Sequence, residues 1–134
     1  MKATIPVFLL LLLLLSAAPA SAGPARSQWP EGPCAEAGSS RAMEACAERE
    51  LKAAEAEMKK SYDRLASSME APSERASLRA AQRDWVRYRR SNCRSEAFLY
   101  RGGTIQELIL LRCSARLTRE RRAEIEAQLK QYTD

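Results

Sequence analysis

Apolar positions recur at helical spacing through three long pieces of this chain. In the first, Leu51, Ala54, Met58, Tyr62, Leu65 and Met69 advance by 3, 4, 4, 3 and 4 residues. That mean step of about 3.6 is one helical turn, so the segment carries one apolar face. In the middle piece Leu78, Ala81, Trp85, Tyr88, Asn92 and Leu99 fall on one side when each residue turns by ~100°. The third piece opens with Thr104-Ile105-Gln106-Glu107, a Thr followed three residues later by Glu, which fits a capping box. Beyond it the pattern fits one helix to the tail, or two with Thr118 as a second N-cap after a kink near Ser114.

Helix breakers give the same division. Past residue 38 the only Gly and Pro are Pro72 and the pair Gly102-Gly103, which bound pieces 39–71, 73–101 and 104–134. Each is rich in Ala, Leu, Glu, Arg and Gln, all good helix formers. Past residue 22 there are one Val, three Ile and three Thr, too few to build a sheet. The expected fold is all-α, three or four helices in a small antiparallel bundle.

The start of the chain is different. Lys2 precedes an uncharged stretch, residues 3–25, with an apolar centre from Ile5 to Leu15 and the small-residue site Ala20-Ser21-Ala22. This reads as a secretory signal peptide over 1–22. Its apolar centre is short of the roughly 20 residues that cross a bilayer. No Cys lies near the cleavage site, which argues for a free rather than lipid-anchored product that does not span the membrane. Residues 23–38, crowded with Gly and Pro, read as an irregular lead, and 39–134 as the helical domain. A periplasmic or secreted location follows.

Composition removes several classes of function. The chain has no His, so Ser-His-Asp or Cys-His catalysis, a His metal site and an imidazole pH switch are excluded. Four Cys in a small exported domain imply two disulfides. Cys93 and Cys113 each lie ten residues from Gly103, so in antiparallel helices both sit ~15 Å from the turn and come level. Cys34 is then left to pair with Cys46. No C-x-x-C pair is present and the spacings fit no zinc site, so neither a metal nor another cofactor is expected.

The formal net charge of +5 is unevenly spread. Residues 73–101 hold three acids and eight Arg. At ~100° per residue Arg79, Arg83, Arg87, Arg90, Arg94 and Arg101 project within about 80° of one another. Such a stripe suits cell-wall polymer, anionic lipid headgroups or an acidic protein, or else is a solvated face. Export argues against a nucleic-acid partner. On the apolar face of the same helix, Glu96 needs a partner if buried, and Arg89, Arg121 or Tyr62 could serve. One Glu with an Arg clamp lacks the second carboxylate or nucleophile that an enzyme would need, so a binding protein is expected rather than a catalyst.

Gln82, Trp85, Tyr88-Arg89 and Cys93 form the string Q-x-x-W-x-x-Y-R-x-x-x-C. Glu96, Gly102-Gly103-Thr104-Ile105, Cys113 and Leu117-Thr118-x-x-Arg121 follow in order. Upstream lie Cys34, Met43-Glu44-x-Cys46, Met58 and Tyr62. Over residues 34–129 this resembles the LprI-like lysozyme inhibitor domain, a small helical module of exported bacterial proteins. Two departures are Lys59 where the family usually has Asn, and the absence of the lipoprotein Cys of some members. The resemblance implies a periplasmic or secreted binding protein with lysozyme as target. Most matching residues also have structural explanations: Trp85 as core, Gly102-Gly103 as positive-φ turn residues, Thr118 as an N-cap, Arg89 or Arg121 as partner of Glu96. Animal lysozymes are generally basic, as is this domain, so steering opposes their encounter. An inhibitor must therefore present the acidic first helix with Glu44, Glu48 and Glu55, or insert the Gly102-Gly103 turn into the enzyme cleft.

Overall fold

The computed structural model describes Cys34 and residues 37–133. The expected signal peptide, and most of the expected irregular lead, lie outside the described residues. Three helices follow in order: α1 (Ser40–Ser68), α2 (Pro72–Phe98) and α3 (Gln106–Thr133). Among the described residues there is no strand.

Local chemistry fixes the helix ends. Ser39 is extended and its hydroxyl accepts the Ala42 N–H at 3.2 Å, capping α1. Pro72 starts α2, where its missing N–H costs nothing, and the preceding Ala71 is extended as that ring requires. The Arg75 guanidinium donates back to the Met69 and Glu70 carbonyls, which α1 leaves unpaired. These contacts fold α1 and α2 into an antiparallel hairpin across three residues.

The second connection is a stack of tight turns. Tyr100, Arg101 and Gly103 donate their N–H groups to the carbonyls of Ala97, Phe98 and Tyr100 at 3.0–3.1 Å. Gly102 alone of the pair has a positive φ, +78°. The expectation for Gly103 is corrected: its constraint is space, because a Cβ there would meet the Tyr100 carbonyl oxygen at 3.2 Å. The Thr104 capping box is displaced as well. The helix begins at Gln106, whose side chain accepts the Gly102 N–H at 3.3 Å.

α3 is the central element, with eleven buried residues against four in α1 and three in α2. It runs parallel to α1. Ala47 packs with Leu108 and Leu111 near their starts, while Leu65 and Met69 pack with Ile125 and Leu129 near their ends. α2 runs antiparallel to both, giving an up-down-up bundle. α3 is continuous past Ser114, so no fourth helix starts at Thr118. The Thr118 hydroxyl donates to the Ser114 carbonyl at 2.7 Å, a bond made inside a helix and not at its cap.

Both disulfides are the expected ones. Cys34–Cys46 and Cys93–Cys113 have Cα–Cα separations of 5.6 and 5.5 Å. The second joins α2 to α3 below the Gly102 turn and buries both sulfurs.

That staple sets the rotation of α2. Leu78, Cys93 and Ala97 are its buried residues, with Gln82, Trp85 and Arg89 half-buried on the same strip. Tyr88 lies roughly 140° round the helix from Cys93 and is 53% exposed. Ala81 is exposed too, and Leu99, beyond the last turn, is the most exposed large apolar residue among the described residues at 84%. The apolar face expected for α2 is therefore wrong by part of a turn. Its true contact strip includes polar side chains.

Candidate functional site

Those polar side chains form a seam between the helices. Arg89 crosses from α2 to donate to Glu55 of α1 at 2.9 Å and to the buried Thr118 hydroxyl of α3 at 2.7 Å. Its guanidinium also lies 5.1 Å from the centre of the Trp85 ring. Arg121 donates to Gln82 at 3.1 Å and to Glu124 at 2.8 Å. Tyr62 packs at the edge of the Leu65–Ile125 cluster, and Trp85 packs on Cys93, Cys113 and Leu117. Among the described residues, no buried side-chain nitrogen or oxygen lacks a partner. The seam is thus closed chemistry: each group is spent holding the helices together.

Glu96 does not belong to it. It is exposed and pairs with Arg116 of α3 at 3.0 Å, rather than with Arg89, Arg121 or Tyr62. The reason is the rotation of α2, which turns Glu96 to the flank of the bundle where desolvation is small.

A second polar cluster links α1 and α3. Glu126 accepts from Arg122 at 2.7 Å and from Ser61 at 2.9 Å, and both bonds hold its carboxyl below the usual range. Glu57 is lowered in the same direction, first by Lys60. The two carboxylates raise Arg122 in turn, Glu126 more than Glu57. The charged groups here are exposed or half-exposed, Ser61 is buried, and all are paired, which marks a structural brace.

Outside these seams three surfaces stand out among the described residues. The arginine stripe is one: Arg79, Arg83, Arg87, Arg90, Arg94 and Arg101 are all exposed. Arg87 pairs with Asp84, while Arg79 and Arg83 line a shallow groove of about 560 Å³ with Tyr62, Gln82, Val86 and Arg87. The acidic face of α1 is a second. Glu44, Glu48 and Glu55 share one side at ~100° per residue, but Glu55 is already committed to Arg89. The third is the α2–α3 tip. Phe98 is 58% exposed, Leu99 84% and Tyr100 37%, followed by exposed Arg101, Gly102, Gly103 and Thr104.

The apolar triplet Phe98-Leu99-Tyr100 is absent from the residues that sequence patterning singles out as binding candidates. Its signal was present, because three large apolar residues, separated from a Gly-Gly turn only by Arg101, break the rule that turns are polar. An apolar tip on a hairpin stapled by a disulfide has the form of a contact surface. Among the described residues no three Cys, Asp or Glu side chains converge to hold a metal, and no helix is long and apolar enough to cross a membrane.

The family described as "Lysozyme inhibitor LprI" matches residues 33–125, which take in both disulfides, the seam and the tip. The chain belongs to the LprI lysozyme inhibitor family. A relative in Rhizobium meliloti (strain 1021), an uncharacterized protein, is 34% identical over 137 residues, covering 93% of this chain and 94% of its own. No solved structure matches. Family membership makes lysozyme inhibition the activity at family level and fits an extracytoplasmic protein, as do the two disulfides. The LprI match also includes Gln82, Trp85, Arg89, Thr118 and Arg121, whose partners are all internal. Tyr88 of the same motif is exposed and makes no such packing contact.

Proposed function

We propose that this LprI domain is a stoichiometric lysozyme inhibitor that acts by occluding the enzyme's substrate cleft with its α2–α3 tip. The observation that carries the reading is the exposed apolar run Phe98-Leu99-Tyr100 at the apex of a disulfide-stapled hairpin. Aromatic and large apolar anchors on a rigid support supply most of the energy in protein interfaces, because little conformational entropy is lost on docking. The tip is also narrow, a short stack of tight turns between two helices, which suits insertion into a concave site. No chemistry is involved: the domain competes with polysaccharide for space.

In this reading residues 1–22 direct export and are removed, 23–38 are a lead whose Cys34 is bonded to Cys46 of α1, and 39–134 form the working domain. The product acts in the periplasm or after secretion. The acidic face of α1 contributes less, since Glu55 is used internally.

The test is a titration of lysozyme with purified, oxidised protein, following lysis of bacterial cell walls at two salt concentrations. Saturable loss of activity near one equivalent supports the inhibitor. No loss at any ratio refutes it. Loss that vanishes with excess wall substrate and with added salt would instead assign the arginine stripe to wall polymer. Replacing Arg83, Arg87 and Arg90 by Ser separates the two, because it leaves cleft occlusion intact and abolishes polymer binding.

A further inference from the structure

Both the domain and animal lysozymes carry net positive charge, so an inhibitor of this kind needs a local attraction that overrides the overall repulsion. The substrate cleft supplies one. Retaining glycosidases hold two carboxyl groups roughly 5 Å apart at the scissile bond, so the floor of the cleft is negative even in a basic enzyme. A matching inhibitor needs a cation at its apex that is unpaired, held in place and able to donate two hydrogen bonds.

One side chain of the tip meets these conditions. Arg101 follows Phe98-Leu99-Tyr100 and precedes the positive-φ Gly102. Its guanidinium lies 4.8 Å from the centre of the Phe98 ring. A guanidinium held over a ring by its carbon keeps N–H groups for a carboxylate, which it can engage bidentately. The Arg101 backbone N–H is bonded to the Phe98 carbonyl at 3.1 Å, so ring and cation are carried on one closed turn. The arginines of α2 itself are either engaged or set along the shaft. Arg75, Arg87 and Arg89 have internal partners. Arg79, Arg83, Arg90 and Arg94 precede the apex by one to six turns of helix.

We infer that Arg101 is the side chain that meets the paired carboxylates of the lysozyme cleft, with Leu99 and Tyr100 lying against the sugar-binding walls beside them. This rests on the inhibitor reading and adds the chemical basis of its recognition. It also accounts for how a basic domain engages a basic enzyme: the net charges repel, but the buried contact pairs opposite signs.

The test is a double-mutant cycle read as binding, so that it does not depend on turnover. Dissociation constants are measured by calorimetry for the oxidised protein and for Arg101→Met. Each is titrated into an animal lysozyme and into the same enzyme with its nucleophilic carboxylate changed to the amide. The unaltered protein is expected to lose at least tenfold in affinity on the carboxylate-to-amide change, and Arg101→Met to bind both enzymes alike and at least tenfold more weakly. Arg101→Lys should recover only part of the affinity, since it keeps charge but not the bidentate fork. Arg101 is exposed, and circular dichroism checks that each variant keeps its helices. If the unaltered protein binds and Arg101→Met binds equally well, or if the amide change weakens both proteins by the same factor, the inference is overturned and the inhibitor reading stands. If the unaltered protein binds neither enzyme, both fall.

Discussion

Replacing Arg89 by Met removes a cation while keeping most of its aliphatic stem, and so isolates the polar seam. Arg89 is 18% exposed at its side chain, and three interactions disappear with its guanidinium. The bond to the buried Thr118 hydroxyl is charge-assisted and contributes about 1.5 kcal/mol. Thr118 keeps its bond to the Ser114 carbonyl, so it is not stranded. The pair with Glu55 counts for less, roughly 0.5 kcal/mol, because that carboxylate is 42% exposed and water replaces the lost partner. Contact with the Trp85 ring adds about 0.5–1 kcal/mol. Together these give a loss near 2.5–3 kcal/mol. In a domain of this size that lowers the thermal midpoint by roughly 10–20 °C. The assay is thermal and urea unfolding followed by circular dichroism, with disulfides intact. A loss below about 1 kcal/mol would show that the seam is not a principal clamp between the helices. Inhibition measured well below the midpoint should be unchanged, because Arg89 faces inward.

Other substitutions separate tip from frame. Leu99→Ser should leave the midpoint within about 1 °C while weakening inhibition at least tenfold, read by urea unfolding and lysis assays; unchanged inhibition would place the contact elsewhere. Gly102→Ala forces a Cβ onto a φ of +78° where nothing lies within 4 Å, so its cost is conformational, about 1 kcal/mol by thermal unfolding. Glu126 has a folded pKa below its unfolded one, so its contribution is complete above the ordinary glutamate range and is lost as pH falls through the lowered value. Thermal midpoints should therefore stay level from neutral pH down to the ordinary glutamate range and decline below it, with a smaller decline in Glu126→Gln.

The helices and staples were legible in the sequence because their causes are local. Pro72 cannot continue a helix, Gly102 supplies a positive φ, and the symmetry of Cys93 and Cys113 about Gly103 forces an antiparallel pairing. The family motif was legible for the same reason, as a fixed order of residues. Rotation of α2 was not legible. A rule that sends apolar residues inward chose Tyr88 and Leu99, but the disulfide and the Arg89–Thr118 bond select a strip containing Gln82 and Arg89. Glu96 was misplaced by the same error and has an exposed partner in Arg116. Thr118 resembles a cap in sequence, and only the three-dimensional position of Arg89 shows why a hydroxyl is needed in mid-helix. The tip was half visible: the glycines marked a turn, while the exposure of Phe98, Leu99 and Tyr100 depends on the rotation of α2 and their place at its end.

Occlusion of the cleft is tested most directly by titrating lysozyme with the oxidised protein in the presence and absence of a cleft-filling N-acetylglucosamine oligomer. The account predicts loss of activity that saturates near one equivalent, with an apparent dissociation constant that rises in proportion to the oligomer concentration. Binding that is indifferent to the oligomer, or a lack of saturable inhibition, would contradict it.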